Sequence, residues 1–396
     1  MNFIKYRLRR VIMNTTKDIN KLKSFTFLFY MGMGIIVPFL PLYFEEVGYS
    51  KIQIGTLLGI GPMAGIVSNI LWGVISDSFQ TVKKVLTILL FGQMVMLFWL
   101  WQVDQFTITV IVILFFFFFQ NPVIALTDSL ILITIQKTKF SYAGIRVWGS
   151  LGFSFSALVM GWILSRTGMD KTIFLLIMTT IVAFVLSFGL KDRKGSVKKM
   201  RFSGIFNMLQ SKDLLWFLLL VFIISLSHRT NDHFISLYLI ELGTDEKWIG
   251  WSPTVAALSE IPVFLFLSKY GHRFKELPLL AIAGFSYALR YILTASLDNP
   301  YLIIAVQALH SISFGIFLIT ALRYLTGLIP EEYRSTGLAV FTVIWAGIAG
   351  MSSGMVGGWI YNQYGGEILY YVASLLGFIS GIGFLSTHLY KLRIKA

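Results

Sequence analysis

The sequence predicts an all-α membrane protein of twelve transmembrane helices, arranged as two pseudo-symmetric six-helix bundles. Three observations predict it: composition, the sidedness of the basic residues, and an internal repeat. Of 396 residues, 56% are apolar and only 13% charged, where a soluble domain carries about a quarter charged. That balance excludes intrinsic disorder, which needs low hydrophobicity and high charge. With 33 Lys or Arg and 19 Asp or Glu, the chain cannot coat the surfaces of the several soluble domains its length would form. Twelve spans of about 20 residues use about 240 positions and leave the rest for loops and tails. A membrane β-barrel is excluded by unbroken apolar runs such as 108–119, since barrel strands alternate apolar and polar.

The elements follow in order. A tail, 1–23, carries seven Lys or Arg and lacks the apolar stretch and cleavage site of a secretory signal. Apolar spans then read 24–44, 52–76, 85–103, 106–135, 143–164 and 172–190, making an N-terminal bundle over 24–190. A polar segment, 191–213, is a cytoplasmic central loop. Six further spans, 214–240, 248–268, 277–296, 301–328, 335–360 and 368–389, make a C-terminal bundle over 214–389, and 390–396 is a cytoplasmic tail. These are helices because an open sheet leaves backbone groups unpaired in lipid.

The charges orient the bundle. The two tails and the even-numbered loops carry 25 Lys or Arg, the odd-numbered loops carry 4, and the other four arginines lie inside spans. This asymmetry puts both termini in the cytoplasm and fits an even number of spans. It also accounts for the net charge of +14 without nucleic acid as a partner. The repeat appears at a shift of 195. Leu42, Tyr43, Glu46, Gly48, Ile54 and Gly55 match Leu237, Tyr238, Glu241, Gly243, Ile249 and Gly250, and Gly161-Trp162-Ile163 matches Gly358-Trp359-Ile360 at a shift of 197.

Seven acid or arginine side chains sit well inside the spans: Asp128, Arg146, Arg229, Asp232, Glu260, Arg290 and Arg323. Facing lipid, they would cost on the order of 20 kcal/mol together, more than the net stability of a typical fold. They are therefore expected to face a wet cavity or one another. Asp128 and Arg146, on adjacent antiparallel spans, can pair as a structural hairpin clasp or as a clamp, a carboxylate accepting and a guanidinium donating in a fixed fork. His228-Arg229-Thr230-Asn231-Asp232-His233 forms a polar belt on span 7, with His228 and Asp232 on one face. Arg323 lies one repeat shift from Asp128, so the two are candidates to bind a polar solute from opposite sides. There is no cysteine and no metal-ligand spacing among the five histidines, which excludes thiolate chemistry and gives no metal site. No Walker motif is present, so ATP hydrolysis is not expected to drive the protein.

Two six-helix repeats with the segment Arg146-Val147-Trp148-Gly149-Ser150-Leu151-Gly152-Phe153 resemble the major facilitator superfamily, over essentially the whole chain. Within it the chain looks like the oligosaccharide and nucleoside:proton symporters, including lactose-permease-like and phenylpropionate-permease-like members. The resemblance implies that Asp128 and Arg146, eighteen residues apart, hold the substrate, with Asp in place of the family's Glu. It puts Phe153 at the position of the family's sugar-stacking tryptophan. It implies that Arg290 and His310, twenty residues apart, and Glu260 belong to a substrate and proton network. The family's acid three residues past the histidine is here Ser313, so the proton role moves to Glu260 or Asp232, with His310 as relay or ligand. After span 2 the family has a cytoplasmic latch. Gly73 and Asp77 match it, while Ser78 and Gln80 replace its Arg and Gly.

The function expected is therefore proton-coupled symport of a small ring-bearing polar solute, a sugar, nucleoside or aromatic carboxylate, by alternating access in the cell membrane. No cofactor is expected beyond the proton gradient, and the protein is expected to act as a monomer. The substrate ligands are Asp128, Arg146, Phe153, Arg290, His310 and Arg323; the proton carriers are Glu260, Asp232 and His310. Four span arginines against three acids tilt the choice toward an anion. Proton/drug antiport is the alternative; an embedded enzyme lacks a nucleophile or metal constellation, and a sensor lacks an output domain.

Overall fold

The computed structural model describes residues 2–136, 138, 140–192 and 210–395. Most of the central loop, 191–213, and residue 396 of the C-terminal tail lie outside them. Among the described residues all regular structure is helical. The helices are α1 (Asn2–Glu46), α2 (Lys51–Ser78), α3 (Val82–Leu100), α4 (Phe106–Ile135), α5 (Tyr142–Thr167), α6 (Thr172–Phe188), α7 (Lys212–Glu241), α8 (Trp251–Tyr270), α9 (Glu276–Ser296) and α10 (Pro300–Leu328). A further helical stretch runs over Thr336–Arg393, 58 residues, about 87 Å at 1.5 Å per residue. That is far more than one bilayer crossing of about 30 Å. It breaks at Gly365, φ 85° and ψ 171°, into α11 (334–364) and α12 (366–395). Among the described residues eleven apolar helical stretches, one of them double, make the twelve spans that hydropathy predicts.

Local signals set the ends. Thr81 caps α3 by accepting from the Lys84 N–H, Ser141 caps α5 through Gly144, and Ser211 caps α7 through Leu214. The hairpin ends carry a second mark of the repeat. Among the described residues the glycines with positive φ are Gly48, Gly168, Gly243 and Gly365. Gly48 and Gly243 are 195 apart, Gly168 and Gly365 are 197 apart, the same two shifts as in the sequence repeat. A left-handed turn there admits glycine without the penalty other residues meet.

The chain divides into two compact units. The first is Met1–Tyr43 with Ala64–Val197; the second is Phe44–Met63 with Lys198–Ala396. The outer end of the α1–α2 hairpin thus groups with the C-terminal helices, unlike the division at 190/214 that hydropathy suggests. Glycine is the reason: Gly55 and Gly59 lie backbone to backbone against Gly354 and Gly358, leaving no room for a Cβ. Lys51 sits over the Tyr361 ring, 5.0 Å from its centroid, and pairs with Glu45. The first unit's core includes Phe25, Phe29, Leu86, Leu89, Leu130 and Ile145. In the second, α10 and α11 each contain a π-helical stretch, Ser311–Gly315 and Val343–Ile348, the wide-turn geometry that recurs at functional sites.

Candidate functional site

In the first unit the site is built from three helices. Asp128, about two turns from the end of α4, faces Arg146, one turn into α5, at 3.7 Å between Oδ1 and Nε, and each side chain keeps about a third of its surface, 30% and 31%. The gap exceeds a hydrogen bond, so this is a loose ion pair. Arg146 lies on the Tyr30 ring of α1, 4.2 Å from its centroid, a cation–π contact. Tyr142, the first residue of α5, bonds the Asp128 carboxylate through its hydroxyl. Tyr30 is 7% exposed, and it meets Arg146 through its hydroxyl as well as its ring. Phe153, two turns past Arg146, packs partly buried against the bundle core.

The second unit holds a tighter and larger cluster. Arg290 on α9 is 1% exposed. Its Nη1 donates to His310 Nδ1 on α10 at 2.7 Å, and its Nη2 donates to Gln307. His310 Nε2 meets Glu260 Oε1 of α8 at 2.8 Å. A guanidinium can only donate, so His310 Nδ1 accepts, and the imidazole is neutral with its proton on Nε2, aimed at Glu260. One chain of bonds therefore runs Arg290, His310, Glu260. Beside it on α7, Arg229 pairs with Asp232 at 3.1 Å, and His228 Nε2 lies 3.4 Å from the same carboxylate oxygen. Tyr287 of α9 bonds His228 Nδ1 at 3.2 Å.

An aromatic stack binds these groups. Phe314 lies 4.9 Å from both His228 and His310, at 7° and 12° to their planes, and Trp345 lies 5.0 Å from His228. Phe314 and Trp345 come from the two π-helical stretches. The widened turn at Trp345 frees its carbonyl, which accepts from Ser225 and Arg229 of α7. Neither this stack nor Tyr30 and Tyr142 as partners of Arg146 has a signal in the sequence; His228 is legible there only as sharing a face with Asp232, and Gln307 only as a polar residue in an apolar span.

Arg323 is not with them. It pairs with Glu276 at 2.8 Å and donates to the carbonyls of Gly271 and Phe274, clamping the α8–α9 connection. Lying in the last turns of α10, it reaches loop carbonyls more readily than the interior. Its departure corrects the charge arithmetic: Arg146, Arg229 and Arg290 face Asp128, Asp232 and Glu260, three against three, and the tilt toward an anionic solute loses its basis. In the α2–α3 connection Asp77 is exposed and Gly73 faces open space. That connection is instead tied to the end of α6, Asp192 accepting from the Thr81 hydroxyl and, at 3.2 Å, from the Lys83 N–H. Gln80, at the place of the family's glycine, has φ 50°: the loop keeps the left-handed turn although the glycine is gone.

Comparison with known proteins agrees with this geometry. The MFS_1 like family model matches residues 19–372. The chain belongs to that family. Like its relatives it is a multi-pass membrane transporter and not an enzyme. It is 25% identical to the maltose permease of Geobacillus stearothermophilus over 86% of this chain and 87% of that one. It is 24% identical to the probable 3-phenylpropionic acid transporter of Escherichia coli (strain K12), over 88% and 93%. Its fold is that of the crystal structure of the nucleoside transporter NupG, with a TM-score of 0.85 at 16% identity, covering 93% of this chain and 99% of that one. The relatives' names span a sugar, an aromatic acid and a nucleoside, so the solute has to be argued from the site.

Proposed function

We propose that this transporter is a proton-coupled symporter of a small uncharged solute bearing a ring and several hydroxyls, a sugar or nucleoside, working by alternating access with both termini in the cytoplasm. The observation that carries the coupling is the Arg290–His310–Glu260 chain. A second proton on His310 would set an N–H against the guanidinium, so a proton entering this chain goes to Glu260 or forces Arg290 to let go. Either event changes the charge beside a fully buried arginine, and a buried charge without its partner is strongly unfavourable. Proton loading thereby biases one conformation over another, the differential any coupled carrier requires. Asp232, bonded to Arg229 and His228, is the second carrier candidate.

The charge balance supports the choice of solute. With three arginines matched by three acids, an anion would bring a charge that no spare cation meets, whereas hydroxyls can insert between existing pairs. The expected ligands are Asp128, Arg146, His310 and Arg290, with Phe153 and the aromatic stack as surfaces for a ring.

The test is Glu260→Gln in proteoliposomes loaded with radiolabelled maltose or uridine. The expected outcome is normal counterflow exchange with loss of accumulation driven by an inward proton gradient. Full gradient-driven accumulation by the variant clears Glu260 and removes the coupling mechanism.

A further inference from the structure

We infer that Tyr361 is a positioning residue of the transport cycle: its ring holds Lys51 of the α1–α2 hairpin tip, its hydroxyl holds Glu241 of α7, and this clasp sets how readily the tip leaves α11. That role rests on the reading of the protein as an alternating-access carrier, of which it names the side chains that govern the outer end.

The tip, 44–63, belongs to the C-terminal unit, while the helix stretches on either side of it belong to the first. Two kinds of contact hold it there. Gly55 and Gly59 touch Gly354 and Gly358 backbone to backbone, through dispersion forces that act only at touching distance. At the end of that seam, three residues past Gly358, stands Tyr361, 3% exposed. Its hydroxyl donates to Glu241 Oε2 at 2.5 Å. The Lys51 ammonium, four residues before Gly55, lies 5.0 Å from its ring centroid while pairing with Glu45. Both contacts are directed by charge and fix an orientation that touching glycines do not. Side chains of α1, α2, α7 and α11 thus meet on one phenol. The ring is fixed in turn by Phe234 of α7, edge-on at 5.7 Å, in space that Gly357 leaves: a Cβ there would come within 2.8 Å of Phe234. Eight residues before Glu241 and Tyr361, His233 Nδ1 and the Ser353 hydroxyl are 3.4 Å apart, so α7 and α11 are tied twice in one register.

Two features of the sequence set these residues apart from packing. Lysine and arginine are scarce on the outer side, four in all the odd-numbered loops, and Lys51 is one of them, against the bias that membrane insertion imposes. The other half of the repeat has no counterpart: shifts of 195 and 197 put Glu246 in the place of Lys51 and Leu164 in the place of Tyr361. Leucine meets the packing need at that helix position, so the phenol hydroxyl serves another use.

The chain has no cysteine, so spin labels on Val47→Cys in the tip and Asn362→Cys at the end of α11, both exposed, report a single distance by pulsed electron resonance in lipid nanodiscs. Expected for the otherwise wild-type chain is a major short distance and a minor long one. Tyr361→Phe, which keeps the ring and loses the bond to Glu241, raises the ratio of long to short about tenfold, the low end for one hydrogen bond to a charged group. Glu241→Leu does the same, and added to Tyr361→Phe raises it no further, since both remove one bond. Lys51→Gln attacks the clasp without touching a core side chain and raises the ratio as well. Tyr370→Phe removes another buried tyrosine's bond to α7, 3.5 Å to Asn231, and leaves the ratio unchanged. Melting temperatures of the two tyrosine variants are expected to be alike, so a shift confined to Tyr361→Phe is not a general loosening. Tyr361→Phe or Lys51→Gln at the wild-type ratio overturns the clasp, and a wild-type response to uridine or maltose in the same experiment then leaves alternating access standing. A single distance that neither solute nor any variant moves removes alternating access at this end, and the proposed function with it.

Discussion

The two units carry clusters of the same chemical ingredients in opposite states. In the N-terminal unit Asp128 and Arg146 stand 3.7 Å apart, farther than a hydrogen bond, and each is about a third exposed. In the C-terminal unit Arg290 is 1% exposed and holds His310 at 2.7 Å, which holds Glu260 at 2.8 Å. The first cluster has hydrogen-bonding capacity to give; the second has spent most of its own. An unsaturated cluster suits recognition, because a ligand can complete it without breaking anything. A saturated one suits coupling, because adding a proton must break or weaken a bond already made.

The largest effect should come from attacking the saturated cluster. Arg290→Met leaves His310 and Gln307 without their donor and the half-buried Glu260 without the cation at the far end of its chain, and removing one member of such a buried group costs about 3–5 kcal/mol. Arg146→Met, at a half-open pair, should cost under about 1 kcal/mol. Thermal unfolding of the two purified variants, each compared with wild type, checks this, and equal losses would erase the distinction between the units. A smaller effect is expected at Arg323, the repeat counterpart of Asp128. Arg323→Ala releases Glu276 and two loop carbonyls, a loss of about 2 kcal/mol on the scale of charged hydrogen bonds, with uridine or maltose affinity unchanged. Weakened binding in that variant would return Arg323 to the solute site and with it the surplus of positive charge. The smallest effect concerns Gln80. A non-glycine residue in the left-handed region costs about 1–2 kcal/mol, and glycine's greater unfolded freedom takes back about 0.5–1 kcal/mol. Gln80→Gly should therefore raise the melting temperature slightly. A fall would mean that the Gln80 side chain holds the connection in place.

Much of the architecture was legible because lipid leaves so few options. Span limits from hydropathy fall within a few residues of α2 through α10, since an apolar stretch and a helix coincide where backbone groups cannot pair with water. The start of α1 was less legible, because its helix continues back through the basic residues read as a tail. Asp128 with Arg146 could be read from spacing because a short hairpin leaves two adjacent helices little freedom of register. The Arg290–His310–Glu260 chain could be read only as a resemblance, since its members come from three helices. Arg323 was misplaced because pseudo-symmetry in sequence does not transfer to surroundings: an acid at 276 and open carbonyls at 271 and 274 exist near one member of the pair and not near the other. Trp345 and Phe314 were illegible because a π-helical stretch adds a residue to the turn and rotates whatever follows, and periodicity of 3.6 carries no notice of it.

The four left-handed glycines at 48, 168, 243 and 365 bear on how such an asymmetric machine keeps a symmetric skeleton. Handedness of the L-amino acid penalises nearly every replacement there, polar or apolar alike, so those corners tolerate little drift. No such stereochemical ratchet acts on Asp128 and Arg323 or on Asp77 and His272, which occupy matching places with unlike chemistry. The bends were held alike in both halves, and the polarity between them diverged into one open cluster and one closed one.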